Sequence, residues 1–303
     1  MATTPASIAL PDVAAARAAR PRPWYVDVWV QMVRRKPLGT VGALIVVVML
    51  AAAVLADVIA PYGFAQTSLR ERFISMNASH WLGTDQLGRD LLTRLIYGAR
   101  VSLYVGFGAV ALGSVLATLI GVLSAYFGGR LDLLLQRGVD AWMAFPPLLL
   151  LMSIMSLLGP SALNITLVLG AAFGIQNSRV VRGVALAIKE YTWIESTRAL
   201  GSGHLRITVG HILPNVMPTI IVVATTGLST VILTEASLSF LGLGVPPPYP
   251  TWGGMLSLAG LDHMYQAPWL AIWPAVALSL AVFGFNMLGD ALRDLLDPRL
   301  KGS

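Results

Sequence analysis

The chain has 303 residues, of which 56% are hydrophobic and only 12% charged, with a net charge of +6 at pH 7. Soluble globular proteins carry about 25% charged residues, so this composition excludes a wholly disordered chain and an ordinary soluble enzyme and predicts an integral membrane protein. The absence of cysteine and the presence of only four histidines leave out disulfides, thiolate nucleophiles, Cys-based metal sites and a His-rich metal centre.

Residues 1–23 are rich in Ala, Pro and Arg and read as a disordered tail. They lack the apolar core of a cleavable signal peptide, so the first span is expected to act as the insertion signal. Over residues 24–38, Trp24, Tyr25 and Trp29 precede Arg34, Arg35 and Lys36. Aromatics followed by a basic cluster predict a helix lying in the membrane interface.

A spanning helix needs about 20 mostly apolar residues. Six segments meet that requirement, giving an all-α membrane protein with six transmembrane helices: Gly39–Ala60, Val101–Phe127, Val139–Leu158, Leu163–Val184, Pro214–Leu243 and Trp269–Gly289. In the fourth, Arg179 and Arg182 lie near enough to the end to snorkel to the interface. With a cytoplasmic N-terminus, five of the 21 Lys and Arg residues (Arg70, Arg72, Arg89, Arg94 and Arg100) fall outside and the other sixteen inside. That asymmetry predicts both termini in the cytoplasm and explains the basic balance better than a nucleic-acid partner does.

The outer segment, residues 61–100, is too long for a mere connector. A surface helix is expected to start at Thr84 or Asp85, with Leu87, Leu91 and Leu95 on one face and Asp85/Arg89 and Asp90/Arg94 as i,i+4 pairs. The core is expected over residues 101–290, with a cytoplasmic tail over 291–303. In span two Gly113, Ala117 and Gly121 form a small-residue ridge, and in span four Gly170 and Gly174 form a GxxxG pair. Both predict close helix packing. Pro146 and Pro147 must kink or break span three, a candidate gating element.

Span five carries Thr226, Thr230, Thr234 and Ser237 at helical spacing, with Ser229 alongside. The stripe fits two readings equally: hydroxyls lining a path for a polar solute, or hydroxyls bonded back to the helix or across a helix contact. Glu235, buried in the same span, requires a partner or a wet cavity. A packing contact is somewhat favoured over solute contact. No phosphate-binding loop, HExxH metal motif or GxSxG elbow occurs. Asp57, Asp140 and Glu235 sit in different spans, so no paired-carboxylate catalyst is expected and the chain reads as a non-enzyme.

The loop over residues 188–213 is over-specified for a linker. Thr192 and Glu195 have the spacing of a capping box, and Gly201 or Gly203 can end the short helix in a left-handed conformation. Leu205 to Ile212 reads as a second short helix, with Pro214 opening span five. The result is a docking element for a cytosolic partner.

Glu195, Gly201, Leu213 and Pro214 resemble the coupling loop of ABC-importer permeases, with Ser196 and Thr197 in place of two alanines and His211 in place of an isoleucine. HWLGTDQLGRD at 80–90, continuing through Gly98 and Arg100, together with SLSFLGLG at 237–244 and NMLGDALRDLLDP at 286–298, resembles the C-type permeases of dipeptide, oligopeptide and nickel importers. The similarity runs from about Trp24 to the C-terminus.

This resemblance implies a type I importer fold: a five-helix core preceded by one helix, in a bacterial inner membrane. It implies a B-type permease partner, two ATPase subunits that carry ATP and Mg, an extracytoplasmic solute-binding protein, and no cofactor on this chain. It also implies ATPase coupling through Glu195, Arg198, Ala199, Gly201, Arg206 and Pro214. Peptide is the expected solute. Nickel or a nickel chelate is the alternative within that class; a stand-alone secondary transporter and a structural scaffold are the alternatives outside it.

Overall fold

In a computed structural model the described residues are 32–33, 36–257 and 262–296. The expected tail over 1–23 and most of the expected interfacial helix lie outside them, as do residues 297–303. The described residues are helical, and the β-pairing among them is one isolated bridge between Thr84 and Asp90.

The elements are α1 (Pro37–Val54), α2 (Ala56–Ile59), α3 (Leu91–Phe127), α4 (Gly129–Met143), α5 (Pro147–Leu158), α6 (Ala162–Lys189), α7 (Thr192–Ala199), α8 (His204–Phe240), α9 (Trp252–Leu256) and α10 (Trp269–Leu296). By length and composition α1, α3, α8 and α10 are able to cross a membrane, and α4 with α5 adds a fifth if that bent pair is one span. The expected count of six is therefore not met. The segment expected as span four lies in α6, 28 residues long, whose end carries Arg179, Arg182 and Lys189. Its two arginines do not simply snorkel: Arg182 donates to Asp132 on α4 (Nη2–Oδ2 2.6 Å), and Arg179 pairs with Asp140 of the same helix.

Several expected boundaries move for identifiable reasons. No separate surface helix starts at Thr84 or Asp85. Asp90 is the N-cap, its Oδ2 accepting from the Thr93 N–H at 2.8 Å, and the helix runs unbroken for 37 residues into the expected second span. Leu87 stays outside it in a turn. The last helix continues past residue 290 to Leu296, tied down at its end by Asp294, which accepts from Lys36 Nζ at 2.5 Å.

The core is built on close backbone approach between α3 and α6. A Cβ on Gly113 would lie 2.7 Å from the Gly170 carbonyl oxygen, and one on Gly174 would lie 2.8 Å from the Gly113 oxygen. The two small-residue ridges read from the sequence thus face each other, as packing in lipid favours. On α1, Gly42 approaches the Gly284 carbonyl of α10 in the same way, at 2.8 Å. α3 is about 55 Å long at 1.5 Å per residue, so it defines two ends of the molecule. Its C-terminal (proximal) end meets residues 190–207. Its N-terminal (distal) end meets residues 60–90 and 241–257 through Trp252, which donates to the Leu95 carbonyl.

Candidate functional site: a broken-helix cavity and a proximal loop

Pro147 restricts the residue before it to extended conformations, and Pro146 adopts φ −57°, ψ 124°. The helix breaks there, and α4 and α5 meet at 90°. Beneath the break is a cavity of about 410 Å³, within the range of small-molecule sites. It is lined by Pro147, Trp142, Phe173 and Gln176 on one side and by Thr230, Thr234 and Ser237 of α8 on the other. No charged side chain lines it.

The hydroxyl stripe of α8 divides between several faces. Thr230, Thr234 and Ser237 line the cavity, whereas Ser229 donates to Asn286 Oδ1 of α10 at 2.6 Å and Thr226 packs on Gly289. Thr226, Thr234 and Ser237 donate to carbonyls four residues back, at 3.0, 2.8 and 2.8 Å. Both sequence readings of the stripe therefore have structural content: the protons are used within the helix, while the hydroxyl oxygens of Thr234 and Ser237 border the cavity and remain able to accept. Glu235 points elsewhere. It is fully buried and accepts from Ser239 Oγ at 2.6 Å and from Ser102 Oγ of α3 at 3.3 Å. Gln176 and Ser102 were assigned no role from the sequence, where Ser102 is a lone polar residue in an apolar run, and Asn286 was read only as the first residue of the NMLGDALRDLLDP motif.

At the proximal end, α7 is fastened by Ile194, fully buried among Ile188, Tyr126 and Ile207. The capping box is not formed. Tyr191 occupies the N-cap without a side-chain bond, and Thr192 is the first helical residue. The other end follows expectation: Gly201 takes φ +81°, its N–H reaches the Arg198 carbonyl, and the Ser202 N–H reaches that of Thr197. This paired termination satisfies the last carbonyls of the helix.

The second short helix is not separate. The chain is helical from His204 to Phe240 with a π turn over Thr208–Ile212, where the Leu213 N–H bonds to the Thr208 oxygen. Pro214 offers no N–H and its ring presses on the carbonyl four residues earlier, so a wider turn accommodates it without ending the helix. Glu195, Arg198, Ala199, Gly201, Arg206 and Pro214 are all exposed, and so are Trp193, Leu200 and Leu205, the last two at 87% and 78%. A rigid projection with a bare apolar and charged surface is suited to holding another protein.

The family described as binding-protein-dependent transport system inner membrane component matches residues 117–302. The chain belongs to that family. The N-terminal transmembrane domain of oligopeptide transport permease C matches residues 23–78. A dipeptide transport system permease protein of Alkalihalophilus pseudofirmus is 39% identical over 89% of this chain and 89% of its own. A putative peptide transport system permease protein of Brucella suis is 37% identical over 98% and 97%. A glutathione transport system permease protein of Escherichia coli is 41% identical over 92% of both.

Among solved structures, a chain of the inward-facing MetNI methionine ABC transporter aligns with a TM-score of 0.55 and 22% identity, covering 68% of this chain and 98% of that one. That likeness identifies the fold. This permease is thus a multi-pass inner-membrane subunit of a binding-protein-dependent transport system and not an enzyme.

Proposed function

We propose that this permease moves di- or oligopeptides inward by alternating access, as one half of a heterodimer with a B-type permease, driven by two ATPase subunits that hold ATP and Mg. The observation that carries the solute class is the agreement among relatives covering most of the chain: their names refer to dipeptide, peptide and glutathione transport, and glutathione is a tripeptide. A charge-free cavity bordered by hydroxyls and an amide suits a solute whose backbone offers donors and acceptors whatever its side chains. His80, an outer histidine that a nickel reading would use, is engaged by Asp90 at 2.9 Å and stacked on Tyr62.

Glu195, Arg198, Ala199, Gly201, Arg206 and Pro214 form the ATPase-coupling surface in this reading, and the break at Pro146 and Pro147 is where α5 moves relative to α4. The proximal end faces the cytoplasm, in keeping with the excess of Arg and Lys there. The Lys36–Asp294 pair supports both termini on that face.

The test is uptake in a deletion strain complemented with wild type or Glu195→Arg, offered labelled dipeptide, a longer peptide and nickel. Peptide uptake that returns with wild type and stays low with a well-expressed Glu195→Arg upholds the reading. Uptake of nickel alone, or transport that survives ATP depletion, overturns it.

A further inference from the structure

A second cavity, about 420 Å³, opens at the distal end and plays no part in the proximal loop or the broken-helix site. Its lining includes Asp85 and Arg89 from the HWLGTDQLGRD segment and Arg94 from the first turn of α3, with Ser239 at the end of α8 and Tyr249 and Thr251 from the connection to α10. Ser237, two residues before Ser239, borders the broken-helix cavity, so the two cavities flank the last turns of α8 on opposite sides.

The wall is rigidly made. Asp85 Oδ1 accepts from the Leu87 and Arg89 N–H groups at 2.8 and 2.9 Å, closing a turn whose Gly88 takes φ +70°. A Cβ on Gly88 would fall 1.8 Å from the Ser68 carbonyl oxygen, so the loops on either side are locked together there.

The charge of the lining is unbalanced. Two guanidinium groups face one carboxylate, because Asp85 is the single acidic lining residue. Asp85 Oδ2 accepts from Arg89 Nε at 2.6 Å and lies 3.6 Å from Arg94 Nε. Arg94 Nη1 reaches the Phe64 carbonyl at 3.4 Å. A guanidinium carries five N–H donors, and among the described residues Arg89 spends one on a protein acceptor. Among those residues, too, no buried side-chain nitrogen lacks a partner, so the remaining Arg89 nitrogens are solvent-accessible on a side chain that lines the cavity. A half-enclosed pocket with one uncompensated positive charge and free planar N–H pairs has the chemistry of a carboxylate receptor.

We propose that this cavity binds the C-terminal carboxylate of the incoming peptide, held by Arg89 with Arg94 behind it, at the mouth of the path. The proposal rests on the peptide reading above. The carboxylate sits beside Arg89, with the rest of the peptide inside the same cavity. The charge on Asp85 is already met by two backbone N–H groups and Arg89, so it keeps the arginines in place without neutralising both.

The experiment uses the complete transporter with its binding protein in proteoliposomes, offered a labelled dipeptide and the same dipeptide as its C-terminal amide. The readout is the ratio of free-acid to amide uptake in wild type, Arg89→Gln and Arg89→Lys, each normalised to inserted protein. The binding protein is the same throughout, so its own preference cancels. Arg89→Gln is expected to lower the ratio about ten-fold relative to wild type, the scale of one charge-assisted hydrogen bond, with Arg89→Lys in between.

Should Arg89→Gln fail to insert, the ratio in Arg89→Lys and in Arg94→Lys decides, a fall of at least two-fold in either one supporting the site. An unchanged ratio overturns the proposal. Equal loss of both substrates is one form of that result and would assign Arg89 a structural role that does not depend on the carboxylate. If wild type transports neither peptide, it is the peptide reading itself that fails.

Discussion

The Tyr126 hydroxyl lies 2.7 Å from His204 Nδ1, joining the end of α3 to the first turn of α8 across the base of the proximal loop. Ile194 and Ile207 are fully buried in the same cluster as Tyr126. A push on α7 therefore acts on α3 and α8 together, since packed side chains transmit displacement as a solid does. Tyr126→Phe keeps the ring and removes the hydrogen bond. It is expected to destabilise the permease by about 1 kcal/mol and to reduce peptide uptake more than ATP hydrolysis, so the uptake-to-hydrolysis ratio falls. Equal reduction of both would assign the bond to stability alone.

Gly201 separates backbone strain from contact. Its φ is +81°, and an added Cβ would meet nothing within 4 Å. Gly201→Ala should therefore act through the left-handed backbone, at about 1–2 kcal/mol, loosening the end of α7 and the position of Glu195. Asn tolerates that conformation better than Ala or Val, so uptake should rank Gly above Asn, Asn above Ala, and Ala above Val. A flat series at equal expression would show that the turn geometry is unimportant.

Glu235 is joined to Ser102 across 133 residues of sequence, and its other oxygen accepts from Ser239. Glu235→Gln keeps the side-chain shape and one acceptor, so the contact between α3 and α8 should persist, with a melting temperature in detergent close to that of wild type. Glu235→Leu leaves two buried serine hydroxyls without this partner. Each unsatisfied group costs about 1–3 kcal/mol, and melting should fall markedly. Similar melting for Gln and Leu would show that the carboxyl does not hold the helices together.

What the sequence made legible follows the range over which each signal acts. Helix existence was readable from apolar runs, and the Gly201 termination and the break at Pro146 and Pro147 from local backbone chemistry. The facing of Gly113 with Gly170 was half-readable: small residues announce a contact but not the partner. Helix starts were misplaced where a tertiary bond chose between adjacent caps. Thr84 has the right chemistry, but its hydroxyl accepts from the Ile74 N–H and its carbonyl from Trp269 Nε1, leaving Asp90 to cap α3. The hydroxyl stripe of α8 was visible as a spacing, yet only the positions of α5, α6 and α10 decide that Thr234 meets a cavity and Ser229 meets Asn286.

The contact between α3 and α6 yields the sharpest contrast between two glycines of one helix. Gly174 lies against the Gly113 backbone, with a Cβ landing 2.8 Å from its carbonyl oxygen and 2.7 Å from Leu116 Cβ, whereas Gly183 has nothing within 4 Å. Backbone cannot yield as a side-chain tip can, so Gly174→Val forces the two helices apart. Overpacking of this kind typically costs about 1–3 kcal/mol, or more. Gly183→Ala adds a better helix former at an exposed site and should stabilise by about 0.5–1 kcal/mol. Melting followed by fluorescence-detected size exclusion should show a large loss for Gly174→Val and no loss for Gly183→Ala. Equal tolerance at both positions would mean that α3 and α6 do not approach through their glycines.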